Sequence, residues 1–260
     1  VPTVAVLNQK GGVGKTTVVL GLAAAAQRRG DATLVVDLDP QGSAGWALGV
    51  EADDDHLAVG DVLGTGDPRV ARAATVQSGW GAGVDVLPAS RGLVDREADR
   101  ATSAEPGRLR HALGELAGAY RTVLIDCAPS LGPTTRSGLV ASDGVLLVAE
   151  LSALSLRGAD AVVDTVEEVG ERLHPGLAIY GTVVNRAPAV SAEADRQLGA
   201  LQEHLGRGTV WRPFVPQRTS LNEAVGRRCP IHDLGRKADP VVAVFDQLYD
   251  RLLRTADDLG

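Results

Sequence analysis

Two lysines five residues apart, Lys10 and Lys15, frame the stretch "LNQKGGVGKTT" at residues 7–17. The spacing nearly satisfies the phosphate-binding pattern G-x-x-x-x-G-K-[ST], but Gln9 stands where that pattern opens with glycine, and Lys10 follows it. Glycines at such positions let successive backbone N–H groups converge on phosphate oxygens, and the helix that follows adds its positive end. Gly11, Gly12, Val13, Gly14, Lys15, Thr16 and Thr17 are therefore nucleotide-binding candidates, with Lys15 reaching the terminal phosphates and the Thr16 hydroxyl ligating Mg²⁺. The competing reading is a glycine-rich turn with no ligand. It is disfavoured because the motif sits in its required context, after an apolar run and before an Ala/Leu-rich one. Lysine is otherwise scarce: of 26 basic residues only Lys10, Lys15 and Lys237 are lysine. A chain that uses arginine nearly everywhere keeps the compact ammonium here, where a slim point charge is wanted rather than a planar fork.

Carboxylates supply the second half of the chemistry. Asp126 closes the apolar run "VLID", which places it at a strand's carboxyl end, suited to hold Mg²⁺ through water. An aspartate there could instead cap the next turn. The segment "DLDPQGS" offers Asp37 and Asp39 to orient water for attack on a γ-phosphate, and spacing alone does not choose between them.

The elements that must position these groups alternate along the chain. Strands are expected at residues 3–8, 32–39, 83–90, 121–130 (running into a loop), 143–150, 177–185 and 208–216. Helices are expected at 16–29, 57–63, 68–74, 106–120 (with Pro106 in its first turn), 155–173, 191–205 and 240–253. Strands alternating with helices predict an α/β fold: one phosphate-loop domain over residues 1–260, with a twisted, mostly parallel sheet and helices on both faces. Aromatics are only 3% and hydrophobic residues 44%, a mix that suits helices packed closely on such a sheet. The longest apolar runs are strand-sized, and Cys127 and Cys229 form no C-x-x-C pair, so a reduced, cytoplasmic protein is expected.

Four segments together, "QKGGVGKTT", "VVDLDPQGS", "LIDCAPSLG" and "FVPQRTSLNEA", resemble the ParA family of partition ATPases, within the larger group that includes MinD and the nitrogenase iron protein. The likeness runs from residue 3 to about residue 253 in family order. It implies that Lys10 is the signature lysine of a deviant Walker A loop, reaching across a dimer interface to the partner's ATP. It also implies Lys15 as the ordinary phosphate lysine, Thr16 as the Mg²⁺ ligand, Asp39 as the residue orienting water and Asp126 as the Walker B acid. Asp37 becomes a supporting acid near Mg²⁺ or Lys10, and residues 128–132 the second switch. Asn185 matches the adenine-reading position, with Pro216 beside the ring. There are departures: Ala128-Pro129 replaces Pro-Pro, Pro216-Gln217 replaces Pro-Arg, and only Arg186 corresponds to an arginine some relatives use on DNA.

Charge is unevenly placed. Residues 207–237 hold seven cations and two acids, a net +5 that leaves −12 on the rest of a chain whose total is −7. Arg218, Arg227, Arg228, Arg236 and Lys237 cluster there and are the DNA-binding candidates, against the alternative of a solvated face. The resemblance implies an ATP- and Mg²⁺-dependent homodimer. It would bind the nucleoid without sequence preference and hydrolyse ATP slowly until a ParB-like or cargo-adaptor partner stimulates it. No long N-terminal extension of the kind used for operator binding is seen, so sequence-specific repression is not expected. A MinD-like membrane role would need a basic amphipathic C-terminal helix, whereas residues 240–258 carry net −2, so no membrane contact is expected. A redox role would need more cysteine than Cys127 and Cys229 supply.

Overall fold

The computed structural model describes residues 1–51, 56–90, 92–98, 105–188 and 192–259. From the amino end, β1 (Thr3–Leu7) runs through a glycine loop into α1 (Lys15–Arg29), then β2 (Thr33–Leu38), α2 (Ser43–Ala47), α3 (Val59–Thr65), α4 (Pro68–Ala74) and β3 (Val76–Gln77). There follow β4 (Val84–Leu87), α5 (Leu93–Ala98), α6 (Arg108–Leu116), β5 (Thr122–Cys127), α7 (Pro133–Val140), β6 (Gly144–Ala149) and α8 (Ala153–Arg172). The chain finishes with β7 (Ala178–Val184), α9 (Ala192–Leu205), α10 (Thr219–Gly226), a 3-10 stretch (Ile231–Ala238) and α11 (Asp239–Leu259).

One seven-stranded sheet results, in the order β3-β4-β2-β5-β1-β6-β7, parallel throughout except for the β3–β4 pair. The direction of winding reverses beside β1: the chain first builds the sheet on the β2 side and later places β6 and β7 on the other. Ligands of open parallel sheets bind at the carboxyl ends of strands flanking such a switch.

Period-two alternation divides the strands between two cores. Val4 and Val6 of β1, Val35 of β2 and Leu146 of β6 pack with α1 and α11, while Ala5, Leu7, Val36, Ile125 and Leu147 pack with α3, α4, α6, α7 and α8. The apolar stripe of α11, including Val241, Phe245, Leu248 and Leu252, is buried in the first of these cores. Its seat on α1 is close: a Cβ on Gly21 would lie 2.2 Å from the Phe245 ring. That stripe belongs to the core and is not free to lie on another surface.

Several expectations are corrected. Residues 208–216 do not form a ladder strand; they meet β7 and the turn after it through isolated bridges, Thr182–Val210 and Ala187–Pro216, and a few hydrogen bonds such as Val215 N–H to the Val184 carbonyl. Pro213, which has no N–H to donate, interrupts the pairing between them. The seventh strand is instead the two-residue β3, too short to carry a periodic signal. The helix expected at 106–120 begins at Arg108 and passes into a 3-10 turn at Ala117–Ala119, so Pro106 lies outside it. Position 191, the expected start of α9, lies outside the described residues. The short helices α2, α5, α7 and α10 and the 3-10 stretch had no counterpart in the sequence reading.

Candidate active site

The site forms where β1, β2, β5, β6 and β7 end. The six expected strands that form all end one or more residues before their expected limits; among the overrun residues, Asn8, Glu150 and Asn185 leave the sheet to contact the loop, and Asp39 leaves it at the end of β2. In the loop itself Gly14 is left-handed, with φ 90°, and a Cβ there would stand 2.0 Å from Asn185 Nδ2. Both facts demand glycine. Gly12 is likewise left-handed at φ 80°, while Val13 is fully buried and anchors the loop. Asn8 ties the loop to the neighbouring strand: its Nδ2 donates to the Val148 carbonyl at 2.5 Å, and its Oδ1 accepts from the Lys10 N–H at 2.6 Å.

Lys15 begins α1 and is 6% exposed, yet its ammonium makes no hydrogen bond or ion pair with the described residues. A cation held at the amino end of a helix, with no hydrogen bond or ion pair of its own among the described residues, is placed to meet an anion that arrives from outside. Thr17 lies half-buried in the first turn of α1. Lys10 is placed differently. Its ammonium sits on the rim, 3.4 Å from Glu150 Oε2, with the side chain 36% exposed. The structure therefore separates the two lysines into one within the cradle and one beside it.

Asp126 and Asp37 are cross-strand neighbours on β5 and β2, and both are fully buried. The Thr16 hydroxyl donates to Asp126 Oδ2 at 2.7 Å, while Oδ1 is buried with no hydrogen-bond partner. Burial, then the Asp37 charge, pushes the Asp126 carboxyl up; the Thr16 hydrogen bond and the Lys15 charge pull it down. A carboxylate in this state, with a free oxygen and a hydroxyl alongside, has the donors that a Mg²⁺ ion and its waters require. Thr16 and Asp126 thus fit a divalent cation. Asp37 does not present a free oxygen: its two oxygens accept from the backbone N–H of Asp39 at 3.1 Å and of Gly45 at 2.8 Å. Burial raises its pKa, opposed by these N–H groups. Its evident task is to clamp the turn that carries Asp39. Asp39 itself is partly exposed, with Oδ1 accepting from the Gln41 N–H at 2.9 Å.

Asn185 is 1% exposed and lies beneath the loop; its Nδ2 donates to the Val13 carbonyl at 2.7 Å and its Oδ1 is buried without a partner. Hydrogen bonds joining Val184, Val215 and Ala187 bring Pro216 alongside that strand end. Cys127 is buried at the end of β5, where burial pushes its thiol up, and Cys229 lies in the turn after α10.

The five basic candidates do not form one free cluster. Arg227 and Lys237 both pair with Glu223, at 2.9 and 2.6 Å. Arg228 donates to the Trp46 carbonyl, pairs with Glu51 at 2.8 Å and lies over the Trp46 ring. Arg218 and Arg236 are exposed and have no ion pair among the described residues. Sequence proximity missed a second group around residues 208–211. Arg251 stacks on Trp211 and donates to the Gly208 carbonyl, next to exposed Arg207, while Arg254 acts electrostatically on Arg251 and Arg212 stacks on Phe214. Arg207 and Arg212 belong to the basic run at 207–237, whereas Arg251 and Arg254 reach it from the C-terminal helix, a meeting that no sequence run reveals.

A parallel sheet whose winding reverses beside a glycine loop, with a strand-end carboxylate bonded to the threonine that follows the loop, defines a phosphate-loop nucleotide-handling domain. Comparison with known proteins narrows the class. A family profile described as an AAA domain matches residues 1–179. The chain is 33% identical over 232 residues to the sporulation initiation inhibitor protein Soj of Bacillus subtilis, covering 88% of this chain and 89% of that protein. It is 35% identical over 223 residues to the chromosome-partitioning ATPase Soj of Thermus thermophilus, covering 85% and 83%. Among solved structures, a cobyrinic acid a,c-diamide synthase from Mycobacterium smegmatis with a bound ATP analogue and magnesium superposes with a TM-score of 0.80 at 28% identity, covering 97% and 94%. The chain belongs to the ParA/Soj-type family of partition ATPases.

Proposed function

We propose that this chain is a Mg²⁺-dependent ATPase that dimerises around ATP and uses the ATP-bound dimer to position DNA or another cargo. One observation carries the reading: the second lysine, Lys10, stands on the rim of the loop while Lys15 alone occupies the cradle. A rim cation adds little to binding within one subunit. Facing a second copy, it meets triphosphate charge brought to a two-fold axis, and each subunit's Lys10 can neutralise the other's nucleotide.

Within each subunit the backbone N–H groups of residues 11–17 and the Lys15 ammonium hold the phosphates. Bound Mg²⁺ would neutralise charge across the terminal phosphates, held by Thr16 and, through water, by Asp126. Asp37 fixes the Asp39 turn, and Asp39 orients the attacking water. Asn185 offers its unpartnered oxygen towards the base, with Pro216 against the ring; its nitrogen is already committed to Val13. Hydrolysis is slow in isolation and is raised by a partner protein of the ParB or cargo-adaptor kind.

DNA contact, without sequence preference, falls to arginines that have no acidic partner among the described residues: Arg218 and Arg236, together with the group around Arg207, Arg212 and Arg254. Against the acidic remainder one such patch is weak, and two patches on one dimer act together. None of the described helices is long and apolar enough to cross a membrane. The test is filter binding of unrelated duplexes with ATP and with ADP. Binding with ATP alone is expected; equal binding in both states would contradict ATP gating.

A further inference from the structure

Glu150 leaves the carboxyl end of β6, and its two oxygens are divided between cations from the strand ends on either side. Oε2 lies 3.4 Å from Lys10 Nζ and Oε1 lies 3.1 Å from Arg186 Nη1. The sheet enforces this meeting. β1, β6 and β7 are parallel neighbours, with Leu7 opposite Leu147 and Ala149 opposite Val184, so residues 8–10, 150 and 185–186 emerge side by side. Backbone ties fix the emergence: Asn8 bridges Val148 and Lys10, and the Asn185 N–H donates to the Ala149 carbonyl at 2.8 Å. Arg186 adopts φ 50°, a left-handed conformation that a non-glycine residue keeps only where its surroundings hold it. The carboxylate is the inner member of the triad, 21% exposed against 36% for Lys10 and 51% for Arg186.

We propose that Glu150 is a positioning residue for Lys10. It parks the ammonium on the rim of the free subunit, away from that subunit's own phosphates, and yields it when a second nucleotide-bearing copy arrives. The proposal rests on the reading of Lys10 as a cross-interface cation. An ion pair this exposed is weak, whereas a triphosphate presents several negative charges, so the exchange runs towards the nucleotide. Arg186 remains on Glu150 after Lys10 departs, so release leaves no unpaired carboxylate. Glu150 thus sets how readily Lys10 is given up, and Arg186 loosens its hold by sharing the charge.

The test is sedimentation equilibrium of the full chain with a non-hydrolysable ATP analogue and Mg²⁺, alongside nucleotide affinity measured at dilutions where the chain is monomeric. Glu150→Gln keeps the size and removes the charge; its dimer dissociation constant should fall by about two- to fivefold, the range of one exposed ion pair. Arg186→Asn suits the left-handed backbone and leaves Lys10 as the sole cation on Glu150; its dissociation constant should rise by about twofold. Both differences should vanish in high salt, and monomer nucleotide affinity should not change. A residue that merely supported the fold would move both variants in the same direction. Unchanged or weaker dimerisation of Glu150→Gln, or a loss of its monomer nucleotide affinity, overturns the proposal. If Lys10→Ala dimerises as well as the wild type, the cross-interface reading fails instead, and the two failures are told apart by which variant departs from expectation.

Discussion

A single hydrogen bond separates the tasks of the carboxylates in this site. Asp126 receives the Thr16 hydroxyl on one oxygen and keeps the other free, whereas Asp37 spends both oxygens on backbone N–H groups. Spacing alone left the attacking water open between Asp37 and Asp39, and the family resemblance implied Asp39; the structure shows Asp37 turned to the backbone and Asp39 at the partly open turn. Asp39→Ala should therefore retain ATP binding and lower hydrolysis by on the order of a hundredfold, the scale for losing a water-orienting group. Single-turnover hydrolysis measures this, and a normal rate would move the role elsewhere. Lys15→Ala should abolish tight nucleotide binding, because among the described residues no other cation stands within the cradle. Equilibrium titration with a fluorescent ATP analogue reads that loss directly, and affinity within a few-fold of the wild type would remove Lys15 from the site.

At the scale of elements, α1 joins function to stability, since its first residue is Lys15 and its opposite face carries α11. Phe245 is fully buried over Gly21, so Phe245→Ala should cost about 3–5 kcal/mol in urea denaturation while monomer nucleotide affinity survives. A cost under about 1 kcal/mol would show that α11 does not hold α1 in place. The strand–loop–helix units were legible in the sequence because apolar runs and glycine punctuation are local signals. The phosphate loop, Thr16 and Asp126 could be read for the same reason. What escaped was set by distant partners. Two-residue β3 exists only through its pairing with β4, the stretch at 208–216 is broken by Pro213, and Glu150 gains its meaning from strands that are far apart in sequence. The basic run at 207–237 was legible as a run but not in its pairing: Glu223 and Glu51 neutralise part of it, and Arg251 joins it at Trp211 from a distant helix.

For the whole molecule, an acidic body carrying local arginine patches should depend on dimerisation for DNA contact. Each patch neutralising two or three phosphates gives roughly four to six contacts per dimer, so log affinity should fall against log salt with a slope of about −4 to −5. Replacing Arg212 and Arg254 by Glu should weaken binding to all duplexes alike and leave dimerisation intact; undiminished binding would confine the contact to Arg218 and Arg236. The central claim, that nucleotide is sensed by a second copy of the chain through Lys10, is tested most directly on one variant. Lys10→Ala is measured by sedimentation velocity with saturating ATP analogue and Mg²⁺, with nucleotide occupancy confirmed in the same sample. The account expects an occupied monomer beside a wild-type dimer. A Lys10→Ala dimer of wild-type stability would contradict it.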